Sequence, residues 1–538
     1  MSTEFDAIVV GGGFGGIYST YKLRNMGYNV KSFEKGPQIG GVWYWNRYPG
    51  ARVDSDVPIY QLWLKEIYKD WDFKERFPGW KELREYFAHV EKKINISRNY
   101  SFNTFVASCH FNTTTNKWTV TTTGEGAGTY VCKHLIICTG FASKNFIPDF
   151  NGLDKFEGIM HHTAEWPQDH DVDFTNKRVA VIGTGASGVQ VIQEVGPTVK
   201  SLDVYQRTPN LAIPMRQRPV THEEQEVRRP RYDEVFEATL HEPCAAGFEF
   251  GFDPRSALEV SDEEREATFE RLWAAGGFNF WVSTFHDVWT DLEADKYQYA
   301  FWRKKVLARL TRPELVEKLA PSVAPCPYAA KRPCLEQRYY EVYNQPNVDI
   351  VDMKATPIVE FTKTGIKTEE GEREYDIIVL ATGFDAVTGG LLQMDIRGAS
   401  GQTLGEKWAP NGVSALLGVA VQDFPNMYFM YGPQGPTAFS NGPTCAQVQT
   451  DFIVDLIEHV DTSGLKYADP KAEAEQKWSD TCTALQEKTL VHGTKSWYNG
   501  GNVPGKKIGA YNYIGGIPQY CRELKAEKNG KYQSFKFA

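Results

Sequence analysis

The chain reads as α/β: two copies of a strand, glycine loop and helix unit, the second carrying a helical insertion. Three observations predict this. Gly11-Gly12-Gly13-Phe14-Gly15-Gly16 and Gly183-Thr184-Gly185-Ala186-Ser187-Gly188 each follow an apolar strand and open a helical run, the context that makes a glycine pattern a Rossmann-like dinucleotide-binding loop. Two later apolar runs, 134–141 and 376–384, both stop at Thr-Gly-Phe and read as strands that close one fold each. Between the second glycine loop and its closing strand lies a charged stretch with heptad-like apolar spacing, the pattern of amphipathic helices.

The first element is the β-branched run 5–10, followed after the glycines by a helix over 17–26 and a strand over 30–33. Glu34 ends that strand 18 residues beyond Gly16. A carboxylate there accepts both ribose hydroxyls and repels a 2′-phosphate, which suits FAD or NAD. The second unit runs through a strand over 178–182, a helix to Val195 and a strand over 201–205 into Gln206-Arg207-Thr208. Arg207 and Thr208 put a cation and a hydroxyl where the first unit has its acid, so charge-assisted hydrogen bonds can hold a 2′-phosphate, which selects NADPH. Helical spacing marks 223–240, 261–273 and 294–310 inside the insertion. The C-terminal region, rich in Gly, Pro and aromatics, returns to complete the first fold. The resulting division is an FAD-binding domain from 1–141 and 386–538, an NADPH-binding domain from 142–210 and 338–385, and a helical insertion over 211–337.

Charge and composition narrow the partners. Lys plus Arg number 59 against 68 Asp plus Glu, a net charge of -9, so no basic field exists to attract a nucleic-acid backbone. With 41% apolar and 24% charged residues the chain is an ordinary globular protein, not a disordered or fibrous one. The 14 Trp suit pockets around planar ligands or packing alone. Nine Cys without a CxxC pair suggest neither a metal site nor a redox dithiol and fit a reducing compartment. No run of 18 apolar residues occurs, and Met1 leads straight into a strand. The expectation is a cytoplasmic protein without membrane association; oligomeric state is left open, and a monomer is compatible with it.

Two dinucleotides in one chain imply electron transfer from NADPH to a flavin, and the missing CxxC argues against a disulfide reductase. The electrons' destination is indicated by 156–167, where Phe156, Gly158, His162, Trp166 and Pro167 match the fingerprint of the Baeyer–Villiger monooxygenases. From glycine loop to C-terminus the chain resembles the type I, class B flavoprotein members, of the cyclohexanone and phenylacetone monooxygenase kind. Flavin monooxygenases that oxygenate nitrogen or sulfur have a related motif with a different aromatic where this chain has Trp166.

The resemblance implies more residues. Around the flavin it adds Gly41, Val42, Trp43, Asp54, Tyr60 and Val106 to Gly11, Gly13, Phe14, Gly16 and Glu34. Around NADPH it adds Lys331, against the 2′-phosphate, to Gly183, Thr184, Gly185, Ser187, Gly188, Arg207 and Thr208. Trp497, in the loop 495–507, is implied to fold over the nicotinamide ribose and substrate, and 432–442 to wall the ketone pocket. Arg332 and Asp54 are the implied catalytic pair. In the chemistry the resemblance implies, reduced flavin and O2 form a C4a-peroxyflavin that attacks a ketone, so charge moves between oxygens that a fixed guanidinium can stabilise. The implied activity inserts one oxygen beside a ketone carbonyl, giving an ester or lactone. N- or S-oxygenation is the alternative. A non-catalytic dinucleotide redox sensor is another, although it would need no Arg332, Asp54 or Trp497.

Overall fold

The computed structural model describes residues 3–538. Its first strand, Thr3–Val10, lies in an eight-stranded sheet, parallel to Val30–Phe33 on one side and Gly128–Ile137 on the other. Ala7 to Val10 are all buried, as a parallel strand covered on both faces requires. The first half of Gly128–Ile137 runs antiparallel to Lys117–Gly124, and its second half runs parallel to Met427–Phe429. Asp395–Arg397 joins the same sheet beside Thr104–Asn112. The C-terminal part of the chain therefore supplies strands to the first sheet. It also supplies the helix Gly442–Thr462, which packs on Phe14–Asn25 through the Tyr18–Asp451 and Ser19–Thr450 hydrogen bonds.

The second sheet has five parallel strands in the order Val348–Asp352, Ser201–Gln206, Arg178–Ile182, Ile377–Leu380 and Ile159–His162. The sequence reading gives 142–210 to this domain without assigning a strand to 156–167, and the structure makes 159–162 the edge strand of the sheet. Four residues ending in two histidines carry no strand pattern of their own, and the strand that pairs them lies more than two hundred residues away in the chain.

The insertion holds the helices His222–Arg228, Tyr232–Ala238, Asp262–Ala275 and Leu292–Leu307. The run read as one helix over 223–240 is two, separated by the turn Arg229–Arg231 with Pro230 inside it, because proline lacks the N–H an uninterrupted α-helix needs. Capping boxes at Thr221 with Glu224 and at Ser261 with Glu264 start two of the helices. The ends of the insertion meet where Ile213–Pro214 pairs with Leu335–Glu336, so it leaves and rejoins the body at one place. Sequence reasoning assigned nothing to the antiparallel strands Thr104–Asn112 and Lys117–Gly124, nor to the three short strands between Ile358 and Glu374.

Candidate active site

The two glycine loops open onto one continuous cavity of about 1490 Å³, larger than the roughly 300–1,000 Å³ that one drug-sized ligand occupies. Gly11 and Gly183 hold the left-handed backbone, φ +113° and +106°. A Cβ at Gly11 would meet the Cys138 carbonyl oxygen at 2.5 Å, and one at Gly183 the Ala381 oxygen at 2.4 Å. Each loop is thus pressed against the end of its closing strand, which is why the Thr-Gly-Phe segments echo each other. Gly16 and Gly188 stand behind the loops and not on the cavity wall, where added Cβ atoms would lie 1.8 Å from Gly11 O and 2.2 Å from Gly183 O. They serve close helix–strand packing. Gly185 is the opposite case: its Cβ would meet nothing within 4 Å. A side chain there would fill open space at the helix N-terminus, where an anion could approach.

Glu34, 7% exposed, accepts hydrogen bonds from Gly12 N–H at 2.5 Å and Gly36 N–H at 2.7 Å. Burial raises its pKa, and the two N–H groups work against that shift. The carboxylate is tied to its glycine loop and lines the cavity. On the second side Arg207 and Thr208 are on the wall, with the Thr184 hydroxyl donating to Thr208 O at 2.8 Å. Arg207 is exposed and Lys331 half-buried. Among the described residues neither side chain has a hydrogen-bond or ion-pair partner, so two uncommitted cations face one cavity.

Val42, Trp43, Tyr60 and Val106 line the first half with Gly41 and Phe14. The Trp43 indole N–H donates to Tyr60 Oη at 2.9 Å, and Phe14 meets Tyr60 edge to face at 5.4 Å. Arg332 reaches the wall at the junction of the two halves. Its Nε donates to Asp54 Oδ2 at 2.8 Å and its Nη1 to Ala438 O at 3.2 Å, while Phe278 lies under the guanidinium at 4.4 Å. Burial opposes the charge of Arg332, and Asp54 more than offsets that, raising its pKa above the usual guanidinium value. Nη2 has no protein partner among the described residues. Contacts on three sides therefore hold a permanent cation with one nitrogen free.

Trp497 stacks on Phe141 at 5.3 Å and 24°. Its loop is fastened to the end of the second sheet by Asn502 Nδ2 to Phe384 O at 2.9 Å and Lys506 Nζ to Asp385 at 2.7 Å. Of the five motif residues only Trp166 reaches the cavity. Gly158 exists for Phe156: a Cβ there would sit 2.5 Å from the Phe156 ring, which packs in the core of the second sheet with Ile182 and Leu380. His162 accepts from Ala164 N–H at Nδ1, 3.0 Å, and burial lowers its pKa to about 4. Trp166 packs against Tyr48, Phe174 and His161, and Tyr48 in turn donates to Gln190 Oε1, joining residues of the two halves. Pro167 follows it off the wall.

Sequence reasoning missed Tyr498, whose buried hydroxyl lacks a hydrogen-bond partner, together with Tyr431 on the wall and the aromatic floor of Phe278 and Trp281. Tyr498 sits in a loop already singled out for its Trp. Phe278 and Trp281 offered no signal, since aromatics inside a helical insertion read as core.

Residues 6–213 match the family described as flavin-binding monooxygenase-like. The chain is 43% identical to cyclopentanone 1,2-monooxygenase of Comamonas sp. (strain NCIMB 9872), covering 100% of this chain and 97% of that protein. It is 38% identical to a Baeyer–Villiger monooxygenase of Pseudooceanicola batsensis, over 99% of this chain and 96% of the other. Among solved structures it superposes on a complex of the enzyme OTEMO with FAD and NADP at a TM-score of 0.95, with 35% identity and full coverage of both chains.

Proposed function

The chain belongs to the flavin-dependent Baeyer–Villiger monooxygenases, and from that premise we propose what each of its site residues does. The enzyme is an FAD- and NADPH-dependent oxidoreductase that inserts one oxygen atom of O2 next to a ketone carbonyl, giving an ester or lactone. The fit of the two cofactors is supported by the open space over Gly185, the carboxylate of Glu34 anchored at the first loop, and the unpaired cations at the second.

Bound flavin, reduced by NADPH, supplies the activation of O2. The protein's own contribution begins with Glu34, which accepts ribose hydroxyls, and with the Gly11 and Gly183 loops, whose N–H groups meet pyrophosphates at helix N-termini. Arg207, Thr208 and Lys331 hold the 2′-phosphate. Val42, Trp43, Tyr60 and Val106 wall the ring system and exclude water. Arg332 offers Nη2 to the oxygen on which negative charge develops. It needs no reorganisation to do so, because Asp54 and Ala438 O already fix the fork. Asp54 aims Arg332 and transfers no proton. Trp497, over Phe141, closes the nicotinamide side, and the 432–442 loop borders the ketone.

The observation that carries this reading is the guanidinium of Arg332, pinned by Asp54 with one nitrogen free inside a cavity that joins both loops. The test is to purify the protein, record a flavin spectrum, and follow NADPH oxidation with cyclic, linear and aryl ketones, weighing products for a gain of one oxygen. If amines or sulfides are cleanly oxygenated while ketones give only hydrogen peroxide, the reading is wrong. A cytoplasmic location is part of the proposal, supported by nine free cysteines. No helix among the described residues is long and apolar enough to cross a membrane.

A further inference from the structure

Asp295 belongs to the insertion helix Leu292–Leu307, outside the cavity wall, and is 1% exposed. Its Oδ2 accepts from Tyr328 N–H at 2.8 Å and its Oδ1 from Ala329 N–H at 2.9 Å. Those are the leading N–H groups of the turn Tyr328–Ala330, and the next two residues are Lys331 and Arg332. The same turn also rests on the insertion's aromatics: Trp281 Nε1–H donates to Ala329 O at 3.4 Å, and the Tyr328 ring packs on Phe280 and Trp302. Among the described residues no Lys, Arg or His forms an ion pair with Asp295. A residue needed only for packing here would be apolar, whereas a buried carboxylate supplies two directional, charge-assisted bonds to one turn.

We propose that Asp295 is the positioning residue for Lys331 and Arg332, clamping from behind the turn that presents one cation to the coenzyme and the other to the reacting oxygen. The proposal rests on the monooxygenase reading for the role of Arg332, but not for that of the clamp. Burial raises the Asp295 carboxyl to about 6, the N–H groups of Ala329 and Tyr328 working against the shift. The clamp is therefore complete at pH 8 and weakens as pH falls through about 6.

The other titratable and charged groups packed around Asp295 are held neutral by burial or committed to other partners. The Tyr328 phenol on the turn and the Cys326 thiol before it are both kept neutral by burial. From His286–Trp289, Asp287 turns to Ser256 and Ala257, and His286 to Arg255 O. From Asp262–Ala275, Arg265 is held by Ala257 O and Asp262, and Glu266 and Glu270 pair with Lys304 and Lys305.

The test compares the FAD-loaded parent with Asp295→Asn, which keeps shape but leaves one N–H facing an amide N–H2. Three quantities are read: the Kd of NADP+ by calorimetry at pH 8, hydrogen exchange of the 326–333 amides, and ester formed per NADPH consumed between pH 8 and 5.5. Loss of one net hydrogen bond loosens the turn by about fivefold, so NADP+ affinity falls by about that factor, the 326–333 amides exchange faster, and FAD content stays at parent level. The parent loses coupling as pH falls through about 6, and the variant is poorly coupled throughout. Parent-like NADP+ affinity and exchange in the variant would overturn the proposal, as would a parent whose coupling is flat across the range. If Asp295→Asn does not load FAD, the parent's pH profile decides. A parent that makes no ester refutes the monooxygenase reading instead, and the clamp is then judged on affinity and exchange.

Discussion

Replacing Arg332 by Ala removes one hydrogen bond to Asp54 at 2.8 Å, one to Ala438 O at 3.2 Å and the cation over Phe278, and it takes away the free Nη2. The first three losses act on the resting protein. Asp54 is 40% exposed, so water can resolvate it, and the stability cost stays near 1 kcal/mol, as for a part-solvated pair. The loss of Nη2 acts on the reaction. A preorganised donor to a developing oxyanion is worth about 2.7–4 kcal/mol, so ester formation falls about a hundred- to a thousandfold. FAD stays bound because the Gly11 to Gly16 loop and Glu34 are untouched, and hydride transfer from NADPH continues at a reduced rate. Arg332→Lys keeps the charge but cannot bridge Asp54 and Ala438 O while offering a third nitrogen, so it recovers part of the loss. Stopped-flow absorbance, with flavin reduction measured anaerobically and oxygenation after mixing with O2, separates the steps, and product analysis gives the ester. Ester formation by Arg332→Ala at near the parent rate would make Arg332 a spectator and require the mechanism to be rebuilt without it.

Arg207→Ala costs about 1.5–3 kcal/mol of NADPH affinity and leaves NADH nearly unchanged; equal use of both coenzymes by the parent contradicts the 2′-phosphate site. Gly185→Ala folds and binds FAD but loses NADP+ affinity in calorimetry, because its Cβ enters open space, whereas Gly16→Ala fails to retain FAD, because its Cβ lies 1.8 Å from Gly11 O; the reverse pattern rejects the assignment of the two glycines. His162 is held neutral by burial with its pKa lowered to about 4. Its contribution to stability is present above about pH 6.5 and is lost as pH falls towards 4. Between pH 7 and 5 the parent loses about 2 kcal/mol in denaturant unfolding that His162→Asn does not lose; identical pH dependence in the two proteins would refute this.

The two glycine loops, the carboxylate at Glu34 and the basic substitution at Arg207 were legible in the chain because each is local, whereas the five motif positions came by resemblance. A strand, a turn that admits only glycine and a helix start lie within about twenty residues, and their spacing is set by backbone geometry. The strand Val30–Phe33 and the strand Arg178–Ile182 came out with the bounds read from the sequence. Lys331, Arg332, Asp54 and Trp497 were reached by resemblance and not by pattern, since nothing in a short basic or aromatic run says what it will face.

Tertiary structure alone decided the rest. It made 159–162 an edge strand by supplying a partner from 377–380, and it put Phe278 beneath Arg332 and Asp295 behind the turn that carries it. It also joined two nucleotide loops, 172 residues apart in sequence by their first glycines, into one cavity. Local sequence encodes dihedral preference and periodicity. Which side chain meets which across hundreds of residues is settled by how the sheets, the insertion and the returning C-terminal strands bury their apolar faces together, a cooperative packing that no window of the chain contains.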